Sequence, residues 1–264
     1  MKEIGIDAGG TLIKIAYEEQ GKLHVKSYPQ NKLKEVVQWI QIVSPTATLK
    51  LTGGKRESIA NLVQNRYELV DEFQAIINGT SYLLEEEKIK IGNEYILVSI
   101  GTGTSVFHVH TDGFDRLLGS GIGGGTFLGL GKLLSGKTRF EELTDLASRG
   151  DREKSDLLVK DIYATGDAPL LGNLTAANFG KAGFQKALPE DHMSALNQLI
   201  GEVIISLASL AARSKQVKPI VFVGSTLSGN APLKSVLSSF QDWMDYTPVF
   251  LEKGAYAGAI GTIM

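Results

Sequence analysis

Cysteine is absent from all 264 residues, which removes disulfides, iron–sulfur clusters and thiolate-held zinc from consideration. Charge of one sign is not in excess either. With 27 Lys and Arg against 29 Asp and Glu, the net charge is −2 and the pI about 6.1, so neither nucleic acid nor an anionic membrane is an expected partner. Long hydrophobic runs are lacking: the nearest approach, Leu196 to Ala212, is broken by Glu202, Ser206 and Ser209, and no membrane span is expected. Met1-Lys2-Glu3-Ile4 has no apolar signal core, so a cytoplasmic location is the expectation. Tryptophan is scarce, and Trp39 and Trp243 read as packing residues.

Glycine, by contrast, is plentiful and clustered after short β-rich runs. Gly5-Ile6-Asp7-Ala8-Gly9-Gly10-Thr11 opens the chain, Ile100-Gly101-Thr102-Gly103-Thr104-Ser105 lies mid-chain, and Val223-Gly224-Ser225-Thr226 comes near the end. A glycine turn flanked by hydroxyls brings backbone N–H groups against phosphate oxygens with no Cβ in the way. Such turns spread through the chain suggest two lobes closing on one nucleotide.

Periodicity gives the frame. Short strands are expected around Ile4–Asp7, Leu12–Tyr17 and Leu23–Val25, then a helix at Lys32–Ile42, a strand at Thr48–Leu51 and a helix at Glu57–Gln64. A strand at Tyr67–Val70 leads to Asp71, placed to cap a helix running to about Leu84. β character returns at Tyr95–Ile100, Ser105–His110 and Phe114–Leu118. Residues 120–190 are more helical and polar, and a long amphipathic helix carries Leu196, Leu199, Ile200, Val203, Ile204, Leu207, Ala208 and Ala211 on one stripe. A strand at Ile220–Val223, a helix near 231–240, a strand at Tyr246–Leu251 and a small-residue helix from Gly254 finish the chain. A meander plus crossover helices, occurring twice, predicts an α/β chain of two related lobes. The expected division is 1–118 and 119–264.

Within this frame the first turn carries the most chemistry. Asp7 suits Mg²⁺, usually held through water, and Lys14 points a cation into the same space. Two other spellings mislead. Gly131-Lys132-Leu133-Leu134-Ser135-Gly136-Lys137-Thr138 has P-loop form, but helical residues precede it and Gly136 stands where a glycine ends a helix. Gly119-Ser120-Gly121-Ile122-Gly123-Gly124 spells a dinucleotide fingerprint without the second strand that a Rossmann unit needs; it reads instead as a nucleotide-binding segment opening a helix at Gly124 to Leu128. Glu72 reads either as a base for an acceptor hydroxyl or as a first-turn acid favoured by the helix dipole. Arg116 either clamps a carboxylate or faces solvent. His108 and His110 alternate on a strand with no third ligand evident, and are taken as structural.

Taken together these segments resemble the acetate-and-sugar-kinase/Hsp70/actin superfamily, and within it the type II pantothenate kinases of bacilli and staphylococci. The resemblance covers nearly the whole chain: Gly5 to Lys14, Leu51-Thr52-Gly53-Gly54, Gly101 to Ser105, Gly129-Leu130-Gly131, Leu174-Thr175-Ala176-Ala177-Asn178-Phe179-Gly180, and Gly254 to Gly261. It implies two ribonuclease-H-like lobes of actin-like ATPase type, with nucleotide in the cleft. It also implies ATP- and Mg²⁺-dependent phosphorylation of pantothenate, the first step of coenzyme A synthesis, by a homodimer. Carried over residue by residue, Glu72 is the catalytic base and Arg116 the pantothenate anchor, with Thr102 on the second phosphate turn also touching substrate. ATP contacts fall on Asp7, Ala8, Gly9, Gly10, Thr11, Leu12, Ile13, Lys14, Thr102, Gly124, Gly125, Thr126, Phe127, Leu128, Phe140 and Ser225. Gln74 and Phe140 depart from the family pattern, which has an acid and a tyrosine there. The long helix at Leu196–Ala212 is the candidate dimer contact. A sugar or amino-sugar kinase on the same scaffold and a nucleotide-sensing regulator are the rival readings; a dehydratase-activating ATPase is excluded by the missing cluster cysteines.

Overall fold

The computed structural model describes residues 2–163 and 172–264. The first sheet is built from β1 (Glu3–Ala8), β2 (Leu12–Glu19) and β3 (Lys22–Pro29), an antiparallel meander. After α1 (Leu33–Val43), β4 (Thr48–Thr52) pairs parallel to β1. After α2 (Arg56–Ala60), β5 (Tyr67–Leu69) pairs parallel to β4. The spatial order is β3-β2-β1-β4-β5. Ile4, Ile6, Ile13 and Ile15 alternate inward with Leu49 and Leu51 to form this lobe's core against Val36, Val37 and Ile40 of α1. Next comes α3 (Glu72–Glu86), whose N-cap Asp71 accepts from the amides of Phe73 and Gln74, as its position predicts.

The pattern then repeats. β6 (Tyr95–Ile100), β7 (Thr104–His110) and β8 (Gly113–Ser120) form a second meander. They are followed by α4 (Gly124–Ser135), α5 (Phe140–Arg149), β9 (Leu157–Leu158), α6 (Val159–Ile162) and β10 (Thr175–Ala177), β9 and β10 making a small ribbon. After α7 (Pro189–Lys215), β11 (Pro219–Val223) joins β6 in parallel. Past α8 (Ala231–Ser239) and α9 (Gln241–Met244), β12 (Thr247–Phe250) joins β11. The order β8-β7-β6-β11-β12 reproduces the first sheet strand for strand. The expected duplication is therefore present in the topology.

Two expectations are corrected. The sheets do not divide at residue 118: β6, β7 and β8 belong with β11 and β12, so the change of sheet falls between Leu69 and Tyr95. The chain also returns, because α10 (Ala257–Gly261) packs against α3 and β1 of the first lobe. That crossing is close. A Cβ on Gly79 would stand 1.9 Å from the Ala257 carbonyl oxygen, and one on Gly261 1.8 Å from that of Ala75. Backbones touch there, so only glycine fits.

The long helix gives only part of its apolar surface to the core. Leu196, Ile200, Ile204, Ile205 and Ala208 of α7 are fully buried in the second lobe's core with Val98, Ile100 and Phe222. By length and composition α7 passes as a membrane span, with mean hydropathy 1.5, but 61% of that stretch is buried within the fold. The P-loop spelling dissolves as expected. Gly131 lies buried inside α4, and Gly136 (φ 73°) ends that helix in the left-handed region.

Candidate functional site

A cavity of about 1080 Å³ lies between the two sheets, lined by the glycine turns of both meanders. The first turn leaves β1 at Asp7 and re-enters at β2, with Asp7 and Lys14 directly opposite across the strands. Alternation sends Ile6, Ala8, Ile13 and Ile15 into the core and leaves Asp7 and Lys14 facing the cavity. Their side chains meet at 3.0 Å between Lys14 Nζ and Asp7 Oδ2. Gly9, Gly10, Thr11 and Leu12 complete this wall, whereas the side chains of Ala8 and Ile13 do not reach it.

The second turn is fixed from several sides. The Thr104 hydroxyl donates to Ile122 O at 2.7 Å and the Thr226 hydroxyl to Gly101 O at 2.9 Å. Across the cavity mouth, Thr102 Oγ1 lies 3.4 Å from Thr11 Oγ1, joining the two turns. The third cluster closes the floor. Gly224 has φ 110°, and a Cβ there would stand 2.3 Å from Ile100 O, so β11 ends beside β6 only because residue 224 is glycine. Ser225 follows and lines the cavity, as do Leu128 and Phe140.

The segment from Gly124 to Leu128 does less than expected. Its first two amides are spent on the protein, Gly124 N–H on Gly101 O at 2.9 Å and Gly125 N–H on Thr102 O at 2.8 Å. Thr126 Oγ1 donates to Gly121 O, and Phe127 is buried edge-on to Phe140. Gly124 and Leu128 remain on the wall; Gly125, Thr126 and Phe127 do not. Glycines let two turns stack here, and that contact takes two of the helix-end amides.

Glu72 opens α3 on the cavity wall. Burial pushes its carboxyl above the usual carboxylate value, and the charge of Asp7 adds to the rise while Lys14 opposes it. Asp7, Lys14 and Glu72 thus form one electrostatic unit. Arg116 lies on β8 with its guanidinium carbon 5.4 Å from the centre of the Phe73 ring. Among the described residues it has no acidic partner, although it faces the cavity. Gly119 admits it, since a Cβ there would fall 2.2 Å from Arg116 Nη2.

Sequence reasoning passed over the residues that shape Asp7's surroundings. Gly53 (φ 88°) and Gly258 bring backbone so near that added Cβ atoms would stand 2.6 Å from Asp7 Oδ1 and 3.1 Å from Oδ2. Phe73, the ring under Arg116, follows Glu72 directly in sequence. Both glycines sit in segments that carry the family resemblance, Leu51 to Gly54 and Gly254 to Gly261, but nothing local in those runs points to Asp7. The donor set is hard oxygen, from the Asp7 carboxylate and the hydroxyls of Thr11 and Thr102, which fits Mg²⁺.

The sequence pattern of the Fumble family matches residues 18–264. A type II pantothenate kinase of Oceanobacillus iheyensis is 48% identical over the whole of this chain and 99% of its own length. One from Bacillus cereus (strain ATCC 10987) is 38% identical, with 99% of this chain and 96% of that protein aligned. Solved structures extend the likeness to fold alone. The activator of the 2-hydroxyisocaproyl-CoA dehydratase from Clostridium difficile superposes with TM-score 0.63 at 13% identity, covering 99% of this chain and 92% of that one. A ROK family glucokinase from Streptomyces griseus, in complex with glucose and AMPPNP, gives 0.57 at 14%, covering 98% and 97%. The two-lobed architecture is that of the actin-like ATPases and sugar kinases.

Proposed function

The chain belongs to the type II pantothenate kinase (Fumble) family, and on that premise we propose a division of labour in its cleft for ATP-dependent phosphorylation of pantothenate, the first step of coenzyme A synthesis. The observation that carries the proposal is the convergence of Asp7, Lys14, Glu72, Thr102 and Arg116 on one cavity from both lobes.

Arg116 pairs with the pantothenate carboxylate, for which its unpartnered guanidinium, backed by Phe73, is shaped. That pairing aims the terminal hydroxyl at the γ-phosphate. Glu72 takes the hydroxyl proton as the oxygen–phosphorus bond forms and the bond to the β–γ bridging oxygen breaks, releasing ADP. Its raised affinity for protons makes it a better base than an ordinary surface carboxylate. Lys14 and the amides of the two phosphate turns balance charge on the transferring group. Asp7 would hold Mg²⁺, which when bound would supply positive charge against the phosphates. Phe140 and Ser225 flank the adenosine end.

The proposal extends to assembly and place. Beside the residues of α7 that are buried in the core, Val203, Leu207 and Leu210 remain partly exposed, the surface offered to a second copy. The reaction is placed in the cytoplasm.

The deciding assay incubates purified protein with Mg·ATP and, in parallel, pantothenate, glucose or N-acetylglucosamine, followed by mass spectrometry. Phosphopantothenate alone is expected. A sugar phosphate in its stead would move the reading to a sugar kinase, and ATP binding without any product would make the protein a nucleotide sensor.

A further inference from the structure

His108 has no role in the cleft, yet it is the most demanding polar residue outside it. It is only 8% exposed, and among the described residues neither ring nitrogen makes a hydrogen bond. Its Nε2 lies 3.4 Å from Glu94 Oε2, outside hydrogen-bonding geometry. A buried imidazole left without a partner costs free energy unless something binds it.

The sheet register supplies the partners that the sequence did not reveal. His108 and Asp115 are directly opposite across β7 and β8, and His110 follows on the same face of β7. One ligand atom each from His108, His110 and Asp115 lies within 4.8 Å of the others. His110 Nε2 is 3.7 Å from Asp115 Oδ2, and the two imidazoles lie 5.1 Å apart, centre to centre. Glu94, just before β6, adds a fourth donor beside His108. The cluster sits on the edge meander, about 14–20 Å along β7 from the turn at Thr104.

We propose that His108, His110, Asp115 and Glu94 form a binding site for a divalent transition-metal ion of the zinc type. Two imidazoles and two carboxylates are a borderline donor set that suits zinc better than the all-oxygen surroundings of Asp7. Bonds of ~2.0–2.1 Å in a tetrahedron require donors roughly 3.4 Å apart. The pairs at 3.4 and 3.7 Å already approach that spacing. Glu94 lies outside the three-residue group, and its half-exposed carboxylate, with that of Asp115, must turn inward to complete it. Lys215, whose Nζ lies 3.9 Å from Asp115 Oδ2, is the cation that the ion displaces. Bound there, the ion ties β8 to β7 one residue before Arg116, on the opposite face of the strand, and so braces the strand that carries the substrate anchor.

The test uses full-length protein stripped with chelator and free of nucleotide, titrated with Co²⁺ by visible absorption and with Zn²⁺ by calorimetry. One ion per chain is expected, with Zn²⁺ displacing Co²⁺ and raising the melting temperature. His110→Ala and Asp115→Asn, both at partly exposed positions, are each expected to weaken binding at least ~10-fold, while Asp7→Asn leaves it unchanged. Absence of stoichiometric binding, or binding that survives both cluster variants, overturns the proposal. Loss in Asp7→Asn alone would assign the ion to the nucleotide cleft and overturn it equally.

Discussion

Gly79→Ala isolates the contact that positions α3, the helix that carries Glu72. The added methyl would stand 1.9 Å from the Ala257 carbonyl oxygen, whereas ordinary contact begins near 3.4 Å, so α3 and α10 must part by the difference, about 1.5 Å. The obstacle is backbone rather than a movable side chain, which puts the overpacking cost at the upper end of the usual range, ~3 kcal/mol. Alanine's better helix propensity returns ~1 kcal/mol. The net loss is ~2 kcal/mol, which for a chain of this size lowers the melting temperature by roughly 4–8 °C. Glu72 lies two turns towards the N-terminus on the same helix, ~10 Å away along its axis. Displacing it by the better part of an ångström should lower kcat by up to ~100-fold. Calorimetric melting and steady-state kinetics on the same preparation check both effects. A variant that melts at or above the wild-type temperature with unchanged kcat would refute the reasoning, because the two backbones would then not be in contact.

Glu72→Gln is expected to reduce kcat by ~10²–10⁴-fold, the usual worth of a positioned base, with ATP binding intact by nucleotide fluorescence. It should not lower the melting temperature, because it removes a desolvated charge beside Asp7. Near-wild-type turnover would take Glu72 out of the base role. Since the working base is ionised and its proton affinity is raised, kcat/KM should fall with decreasing pH on a limb lying above the ordinary 4.5. Residual activity of Glu72→Gln should lack that limb, and a limb persisting there would belong to another group. Arg116→Ala should raise KM for pantothenate roughly 10- to 100-fold, matching the ~1.5–3 kcal/mol of a charge-assisted contact. A rise confined to KM for ATP would reassign the arginine.

Local chemistry was written plainly in the chain. Two glycines between short strands specify a tight turn, and strand alternation then dictates that Asp7 and Lys14 share one face. Asp71 announces the start of α3, and Gly136 announces the end of α4 and with it the failure of the P-loop spelling. The recurrence of a meander followed by crossover strands was legible because it depends on order along the chain, which the sequence carries. The partner of each strand was not legible. β6 reads as a continuation of the first half until its hydrogen bonds to β11 are seen, since the pairing surface is backbone and the same for every residue.

Side-chain roles that depend on distant neighbours behaved in the same way. Leu196, Ile200 and Ile204 mark an apolar stripe whether it faces a core or a second molecule, and only packing against Val98 and Phe222 decided for the core. His-x-His on β7 lacked a third donor until β8 folded alongside and set Asp115 opposite His108. Glu72 reads from sequence as a base or a dipole partner, and only the approach of Asp7 and the loss of water in the folded chain raise its proton affinity. Sequence determined turns, caps and alternation because these are properties of adjacent residues. Tertiary structure decided sheet membership, helix contacts and acid–base character, because each is set by what burial and backbone pairing bring together from far along the chain.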